Sequence, residues 1–366
     1  MLLPLEYHFP RKQLAPHQLD KLLASGYFRT GSYLTRTRVL LFDNQILNTL
    51  HIRADLEKLR FSGSMEKILR KNNQRFTYKI QPMCIDEEKE LLYAQHRQRF
   101  KGNASPSITN YLYDTYKLPI FNTTEINIYH EGKLVGYSLF DAGKNSIASI
   151  IAIFDQAYSK YSIGIYTMLL EMQYGLEHQF KYYYPGYVAN EPSQFNYKLR
   201  LGEVDYYDWF TKRWVSFEQS NKRKMVNDVY CEKLNEAKQW LDELGLNYTQ
   251  MLYPYFYLGG MYPDSDCVKG LHHLLIEDFE RKGLYYIIEF HPTLLQIVFT
   301  GVTLHKYQYE DEINFESVYE GSRWRRVLLY LHPYVSIQNA QELQVAYLFL
   351  QKLFSQDEQT GITFHS

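Results

Sequence analysis

The spacing of apolar residues changes period several times along the chain, and each change marks a different element. DEEKELLYAQHRQRF, residues 86–100, sets Leu91, Leu92 and Phe100 among charges and ends basic, which predicts a helix. SPSITNYLYD then reads as a short loop and turn. From Glu125 the period falls to two: EINIYHEGKLVGYSLFD alternates apolar residues on either side of Glu131-Gly132, the pattern of a hairpin. SIASIIAIFD, ending at Asp155, is a continuous apolar run, as in a strand buried on both faces. Ile165, Leu169, Met172 and Leu176 follow at helical spacing. KYYYPGYV returns to a strand, and Pro185, which has no N–H, requires that strand to be an edge or bulged. Residues 150–198 thus predict strand, glycine turn, amphipathic helix and tyrosine-rich strand. That order sets the amides of a helix start beside the end of a buried strand, a geometry suited to acyl transfer. A bulge beside a helix N-terminus commonly marks a substrate slot.

The flanking regions differ in character. Residues 20–80 hold twelve Lys and Arg against five Asp and Glu, a net charge of +7, whereas the whole chain sums to −1. Within them SMEKILRKN predicts a short helix with Ser64 as N-cap and with Lys67, Arg70 and Lys71 along one side. After Trp214, NKRKMVNDVYCEKLNEAKQWLDEL predicts a helix with charged faces. GLNYTQMLYPYFYLGGMYPDS reads as a loop-rich connection, VKGLHHLLIEDFERKG as helical, LYYIIEFHPTLLQIVFTGVTL as strand-like and AQELQVAYLFLQKLF as helical. No internal repeat is evident. The class is α+β, in three parts: a basic subdomain over 1–84, a central domain over 85–219, and an appended α+β module over 220–366 whose role the sequence does not indicate.

Composition narrows the setting. A chain of 366 residues allows two or three domains, and 45% hydrophobic content supports a sizeable core. With a net charge of −1, a nucleic-acid site has to be a local patch. Cys84, Cys231 and Cys267 are far apart and odd in number, which fits neither a disulfide framework nor a zinc pattern and suggests a reducing compartment. MLLPLEYHFPRK lacks the long apolar core of a signal peptide, and no run of about 18 apolar residues predicts a membrane span. A cytoplasmic location is expected. Most of the 35 tyrosines are explained as fillers of half-buried strands.

Seven short motifs, in order over residues 20–215, resemble the arginyl-tRNA–protein transferase family with its bacterial leucyltransferase branch. SGYFRTG (25–31) is similar to the family's GYRRSG, SGSMEKILRKN (62–72) to SRSxRRVLRRN, and LLYAQHRQRF to LYxxYxxxRH. IFDQ (153–156) stands for FYDP, SIGIYT (162–167) for SLGxYS, YYYPGYV (182–188) for YYxLGYxI and NYK (196–198) for xYK. The family's N-terminal cysteines, linked to metal or cluster binding, have no counterpart between Gly31 and Leu50. Gln156 replaces a proline and Pro185 a leucine. The resemblance implies a GNAT-type acyltransferase fold for the central domain. It further implies aminoacyl-tRNA as donor, with arginine favoured and leucine possible. The acceptor would be the N-terminal α-amine of a protein beginning with Asp or Glu, which marks that protein for degradation. No cofactor and no metal are expected.

Such a transfer needs a neutral amine, a stabiliser for the oxyanion, and a proton for the leaving ribose oxygen. Splayed strands of the implied fold expose backbone amides for the oxyanion. Amides at the Ser162–Gly164 helix start suit a phosphate or the terminal adenosine, or the segment is an ordinary Ser-capped helix. Tyr184 and Tyr187 flank Gly186 and can relay a proton or stack on a base, or they are strand core. Alternation places one of Tyr183 and Tyr184 on the face of the site. Asp155 orients or deprotonates the attacking amine, or caps the turn. Tyr197 and Lys198 of the NYK motif are substrate-binding candidates, Lys198 as partner of an acceptor carboxylate. Arg29, Lys67, Arg70 and Lys71 are candidates for tRNA phosphates or an acidic acceptor, or form a solvated face. His96, His272, His273 and the cysteines read as ordinary. Two rival readings stand beside this one. An acyl-CoA-dependent N-acyltransferase is disfavoured because Tyr166 would crowd a pyrophosphate at the Tyr161–Tyr166 run. A non-catalytic binder of acidic N-termini or tRNA is motivated by the missing cysteines.

Overall fold

The computed structural model describes residues 2–42, 45–99, 105–113, 120–222, 224–253, 256–257, 267–277, 284–306 and 326–357. They fall into two compact units, one of Tyr7–Arg223 and the other of Met1–Glu6 with Lys224–Ser366. After the short strand β1 (Leu5–His8), helix α1 (Pro16–Ala24) buries Leu19 and Leu23 with Leu34, Ala148 and Tyr184. β2 (Phe28–Thr30) and β3 (Tyr33–Thr37) pair antiparallel. Then come β4 (Val39–Phe42), β5 (Gln45–Asp55), helix α2 (Gly63–Asn73) and β6 (Thr77–Pro82). Helices α3 (Glu87–Arg97) and α4 (Ile108–Tyr113) precede the hairpin of β7 (Thr123–His130) and β8 (Lys133–Ala142). β9 (Ser146–Phe154), helix α5 (Ile163–Glu177), β10 (Tyr182–Ala189), β11 (Asp205–Asp208) and β12 (Arg213–Ser216) complete this unit. Its nine-stranded sheet has the order β12-β11-β5-β10-β9-β8-β7-β6, with β4 paired to β5.

Strand β5 lies inside this sheet, between β11 and β10. The boundary expected at 84/85 is therefore absent: the basic N-terminal segment supplies a central strand and belongs to the same unit as residues 85–223. The Glu131-Gly132 hairpin forms with both turn residues at positive φ. Three local expectations are corrected. The N-cap of α2 is Ser62, whose hydroxyl accepts from the Met65 amide, and Ser64 lies inside the helix. SPSITNYLYD contains helix α4, whose Ile108 and Leu112 are buried beside Leu92 and Tyr93 of α3. Leu176, expected on the buried face of α5, is exposed at its last turn. Phe100, expected at the end of α3, lies outside the described residues.

In the second unit, α6 (Val226–Glu243) precedes an antiparallel sheet of β13 (Thr249–Leu252), β14 (His272–Glu277), β15 (Leu284–His291), β16 (Gln296–Lys306) and β17 (Arg326–Ser336), in that order. Helix Ala340–Asp357 closes the described chain. Leu234 and Leu241 of α6 pack with Leu343 and Leu350 of this helix over Leu274, Ile288 and Phe299 of the sheet. VKGLHHLLIEDFERKG, expected to be helical, contains β14, while residues 278–283 lie outside the described residues. His273, Leu274, Leu275 and Ile276 are all buried, and a strand covered on both faces gives the same short apolar run as a buried helix. The loop-rich connection holds β13, and its residues 254–255 and 258–265 lie outside the described residues. Among the described residues no helix is long and apolar enough to cross a membrane.

Candidate active site

The tyrosine-rich strand β10 is an interior strand and is bulged. Against β5 its register runs Tyr182↔Asp55 and Tyr183↔Ala54, then resumes at Gly186↔Ile52 and Tyr187↔His51. Tyr184 and Pro185 thus oppose a single residue, and the proline's missing N–H falls where the ladder is already interrupted. On its other edge β10 runs parallel to β9 for three pairs only, the last being Tyr184↔Ala148. Beyond that pair the strands part. β9 is also bulged against β8, since Leu139 faces Ile151 while Phe140 faces Ser149. Among the described residues, the backbone groups of β9 that point toward β10 past Ala148 have no strand partner. The Phe154 amide donates to His96 Nδ1 at 3.2 Å, and an amide left without such a partner is a donor available to an oxyanion.

A small cavity opens at this split, lined by Tyr27, Phe28, Arg29, His51, Ile52, Ala148, Ser149, Ile150, Tyr184, Gly186 and Trp214. Tyr184 lines it, whereas Tyr183 points to α5, where its hydroxyl donates to Glu171 Oε2 at 2.8 Å. Burial raises the Tyr184 hydroxyl to about 12, with Arg53 acting in the opposite sense, so it stays protonated at neutral pH. His51 is buried, its Nε2 has no hydrogen-bond partner, and burial lowers its pKa to about 3 with Arg38 and Lys198 adding to the effect. It is therefore a neutral imidazole in the wall.

Lys198 sits against the bulge. Its Nζ donates to the Tyr187 carbonyl at 3.1 Å and lies 5.2 Å from the Tyr187 ring centroid. Burial lowers this amine to about 8, and no carboxylate among the described residues pairs with it. Gly186 has φ +97°, a backbone region that L side chains rarely adopt, and a Cβ there would meet Lys198 Nζ at 3.1 Å. Tyr187 packs between Phe28 (5.4 Å) and Phe195 (5.3 Å). Sequence order alone thus separates Tyr184, Gly186, Tyr187 and Lys198 from His51, and the β5–β10 pairing joins them.

Other expected residues lie elsewhere. Asp155 caps the short 3₁₀ turn Gln156–Tyr161, accepting from the Ala157 amide at 3.0 Å, and Lys133 Nζ stands 3.6 Å from it. Ser162, at φ 55°, starts α5 with no side-chain cap. A Cβ on Gly164 would make only ordinary contact with Phe154 at 3.6 Å. Tyr166 turns inward: it is buried, and its hydroxyl donates to Asn73 Oδ1 at 2.7 Å, so it does not crowd the helix start. Tyr197 is 43% exposed.

Arg29 is the largest departure among the cations. Its Nη1 donates to Thr123 Oγ1 (2.9 Å) and Asp141 Oδ1 (3.1 Å), Nη2 to the Leu112 carbonyl (2.9 Å), and Nε to the Gly31 carbonyl (2.7 Å). With the ion pair buried on both sides and Phe121 under the guanidinium at 4.3 Å, four of its five N–H donors are engaged within the fold and the group is not presented to an RNA phosphate. Lys67, Arg70 and Lys71 are exposed on α2. That helix is tied to the β9–α5 connection by Asn72 Nδ2 donating to the Tyr161 carbonyl (2.9 Å) and by Arg75 over the Tyr161 ring (4.5 Å). Sequence reasoning missed His51, Phe28, Trp214 and Glu171. Each is an unremarkable residue in its own segment, and nothing local distinguishes it. Among the described residues no group of three or more His, Cys, Asp or Glu is placed to hold a metal ion.

A split sheet with a lined cavity is a geometry suited to acyl transfer, and the comparisons agree with the motifs. Residues 88–208 match the family model described as "Arginine-tRNA-protein transferase, C terminus". The chain is similar to an aspartate/glutamate leucyltransferase of Leptospira interrogans, 23% identical over 240 residues, covering 64% of this chain and 87% of that protein. A protein of the same name from Helicobacter hepaticus is 25% identical over 200 residues, covering 53% and 80%. Arginyl-tRNA–protein transferase 1 of Saccharomyces cerevisiae is 24% identical over 160 residues, covering 36% and 32%. Among solved structures, L-PGS from Bacillus licheniformis aligns at a TM-score of 0.32 and 14% identity, covering 50% of this chain and 54% of that one. Over residues 88–208 the chain matches the aminoacyl-tRNA–protein transferase family, and the relatives it resembles are named as transferases.

Proposed function

We propose that this protein moves an amino acid from aminoacyl-tRNA to the N-terminal α-amine of a protein beginning with Asp or Glu, within a GNAT-type arrangement. The observation that carries the reading is the split between β9 and β10 at the bulged Tyr184-Pro185-Gly186, with the amine of Lys198 set against it. In this reading the ester carbonyl of the donor lies against the unpaired amides of β9, and Lys198 pairs with the acceptor's side-chain carboxylate. The acceptor amine attacks the carbonyl carbon, the new C–N bond forms, and the bond to the ribose oxygen breaks. That oxygen leaves with a proton. The cations of α2, beside the start of α5, suit the phosphates of the donor's RNA.

The cavity's lining supports leucine, or another apolar residue, in place of the arginine expected from the motifs. Phe28, Ile52, Ala148, Ile150 and Trp214 are apolar, none of the lining residues is acidic, and the one permanent charge is the cation Arg29. The charge of Arg29 is matched by Asp141, so an arginine side chain there would lack a counter-ion of its own. The test is incubation of the purified protein with tRNA charged with leucine, phenylalanine or arginine and a peptide starting with Asp or Glu. Transfer from the leucine donor is expected. Absence of transfer from all three donors, or acetyl transfer when acetyl-CoA is supplied, refutes the reading.

A further inference from the structure

Glu171 is a buried carboxyl that the reaction as described does not use. It lies on α5, fully shielded from solvent, behind the point where β9 and β10 part. Oε2 accepts from the Tyr183 hydroxyl at 2.8 Å, and Oε1 makes no hydrogen bond of regular geometry. Ser138 of β8 and Ser149 of β9 turn their hydroxyls toward it. Ser149 follows Ala148, the last residue paired with β10, and also lines the cavity. Tyr183 and Tyr197 are the titratable groups that face this carboxyl, from β10 and from the 3₁₀ segment Gln194–Leu201. No lysine, arginine or further carboxylate acts on it among the described residues.

A carboxyl with an open lone pair, one serine away from the cavity, is placed to receive a proton. We infer that Glu171 holds the proton released by the acceptor amine, received through the Ser149 hydroxyl. This rests on the proposed transfer reaction. The acceptor's ammonium gives a proton to Ser149 Oγ as Ser149 passes its own proton to Glu171 Oε1, leaving a neutral amine. The amine attacks the ester carbonyl. The second nitrogen proton goes to the ribose oxygen as the C–O bond breaks, and the nitrogen keeps one proton as an amide. The proton on Glu171 returns to solvent before the next turnover, so one proton is released per transfer. Burial raises the Glu171 carboxyl to about 7, with the Tyr183, Ser138 and Ser149 hydroxyls acting against that rise, so it changes protonation state near neutral pH. Glu171 is thus a positioning residue that acts through Ser149.

The test is the pH profile of kcat/KM for transfer to a Glu-initial peptide, in the wild-type protein and in Glu171→Gln, Glu171→Asp and Ser149→Ala. The wild-type rate is expected to rise with pH through a midpoint near 7. Glu171→Gln should lower kcat by about 10²–10⁴-fold at pH 7.5, the usual range for a lost general base. It should also remove the limb near 7 with KM unchanged, and Glu171→Asp should restore part of both. If Glu171→Gln does not fold, Ser149→Ala carries the test and should flatten the same limb. A limb that keeps its midpoint in either soluble variant overturns the inference while leaving the transfer reaction standing. No transfer by the wild-type protein from any donor overturns the reaction itself, and the inference with it.

Discussion

Replacing Lys198 by methionine separates stability from function at this site. The amine is drawn from 10.5 down to about 8 by burial, without an acid to pair with. Keeping it charged at pH 7 therefore costs the fold about 3 kcal/mol at most. Solvent reaches this half-buried side chain and reduces the figure. Losing its bond to the Tyr187 carbonyl removes about 1 kcal/mol more. Lys198→Met should then gain about 1 kcal/mol in urea unfolding at pH 7. The sign with pH follows from the direction of the shift. A base whose folded pKa is depressed suffers its full penalty below about pH 8, and the penalty fades as pH rises toward 10.5. The advantage of methionine should accordingly shrink at pH 9.5. Transfer to an acidic acceptor should fall, through a raised KM, because the carboxylate loses its cation. A variant that is less stable at pH 7, or equally favoured at both pH values, refutes the account of a desolvated ammonium. An unchanged KM for Asp- and Glu-initial peptides refutes its role in acceptor binding.

Three further outcomes are expected. Gly186→Ala forces a side chain into φ +97° and into Lys198 Nζ at 3.1 Å, so it should lower stability by about 1–3 kcal/mol and suppress transfer, measured by denaturation and by the charged-tRNA assay. Arg29→Met strands the buried Asp141 and should cost about 3–5 kcal/mol in unfolding free energy, while tRNA affinity measured below the unfolding transition stays unchanged. Replacing Lys67, Arg70 and Lys71 together by serine should leave stability within about 0.5 kcal/mol and weaken tRNA binding. It should also reduce the slope of log affinity against log salt by about 2–3, read from titrations at several salt concentrations.

The sequence by itself determined the elements whose signals are local. The Glu131-Gly132 turn, the helix after Asp86 and the strand–helix–strand unit from β9 to β10 are all written in nearby residues, because turn chemistry, caps and the 3.6-residue period act over a few positions. Pro185 announced an edge or a bulge for the same reason, since a missing N–H has a consequence wherever the strand sits, and the interior place of β10 made it the bulge. Ordered motifs carried the family. What only the tertiary structure decided is everything that depends on which strand lies beside which. β5 comes from the basic N-terminal region, and its place against β10 brings His51 to Tyr187 across more than a hundred residues. Long-range packing likewise spent Arg29 on Asp141, although its sequence surroundings read as a surface cation. It also turned HHLLIE into a strand, since burial on both faces erases the period that tells a strand from a helix. Glu171 gave no sign in the sequence at all. A lone carboxylate in an apolar helix gains meaning only from the split in the sheet that it faces.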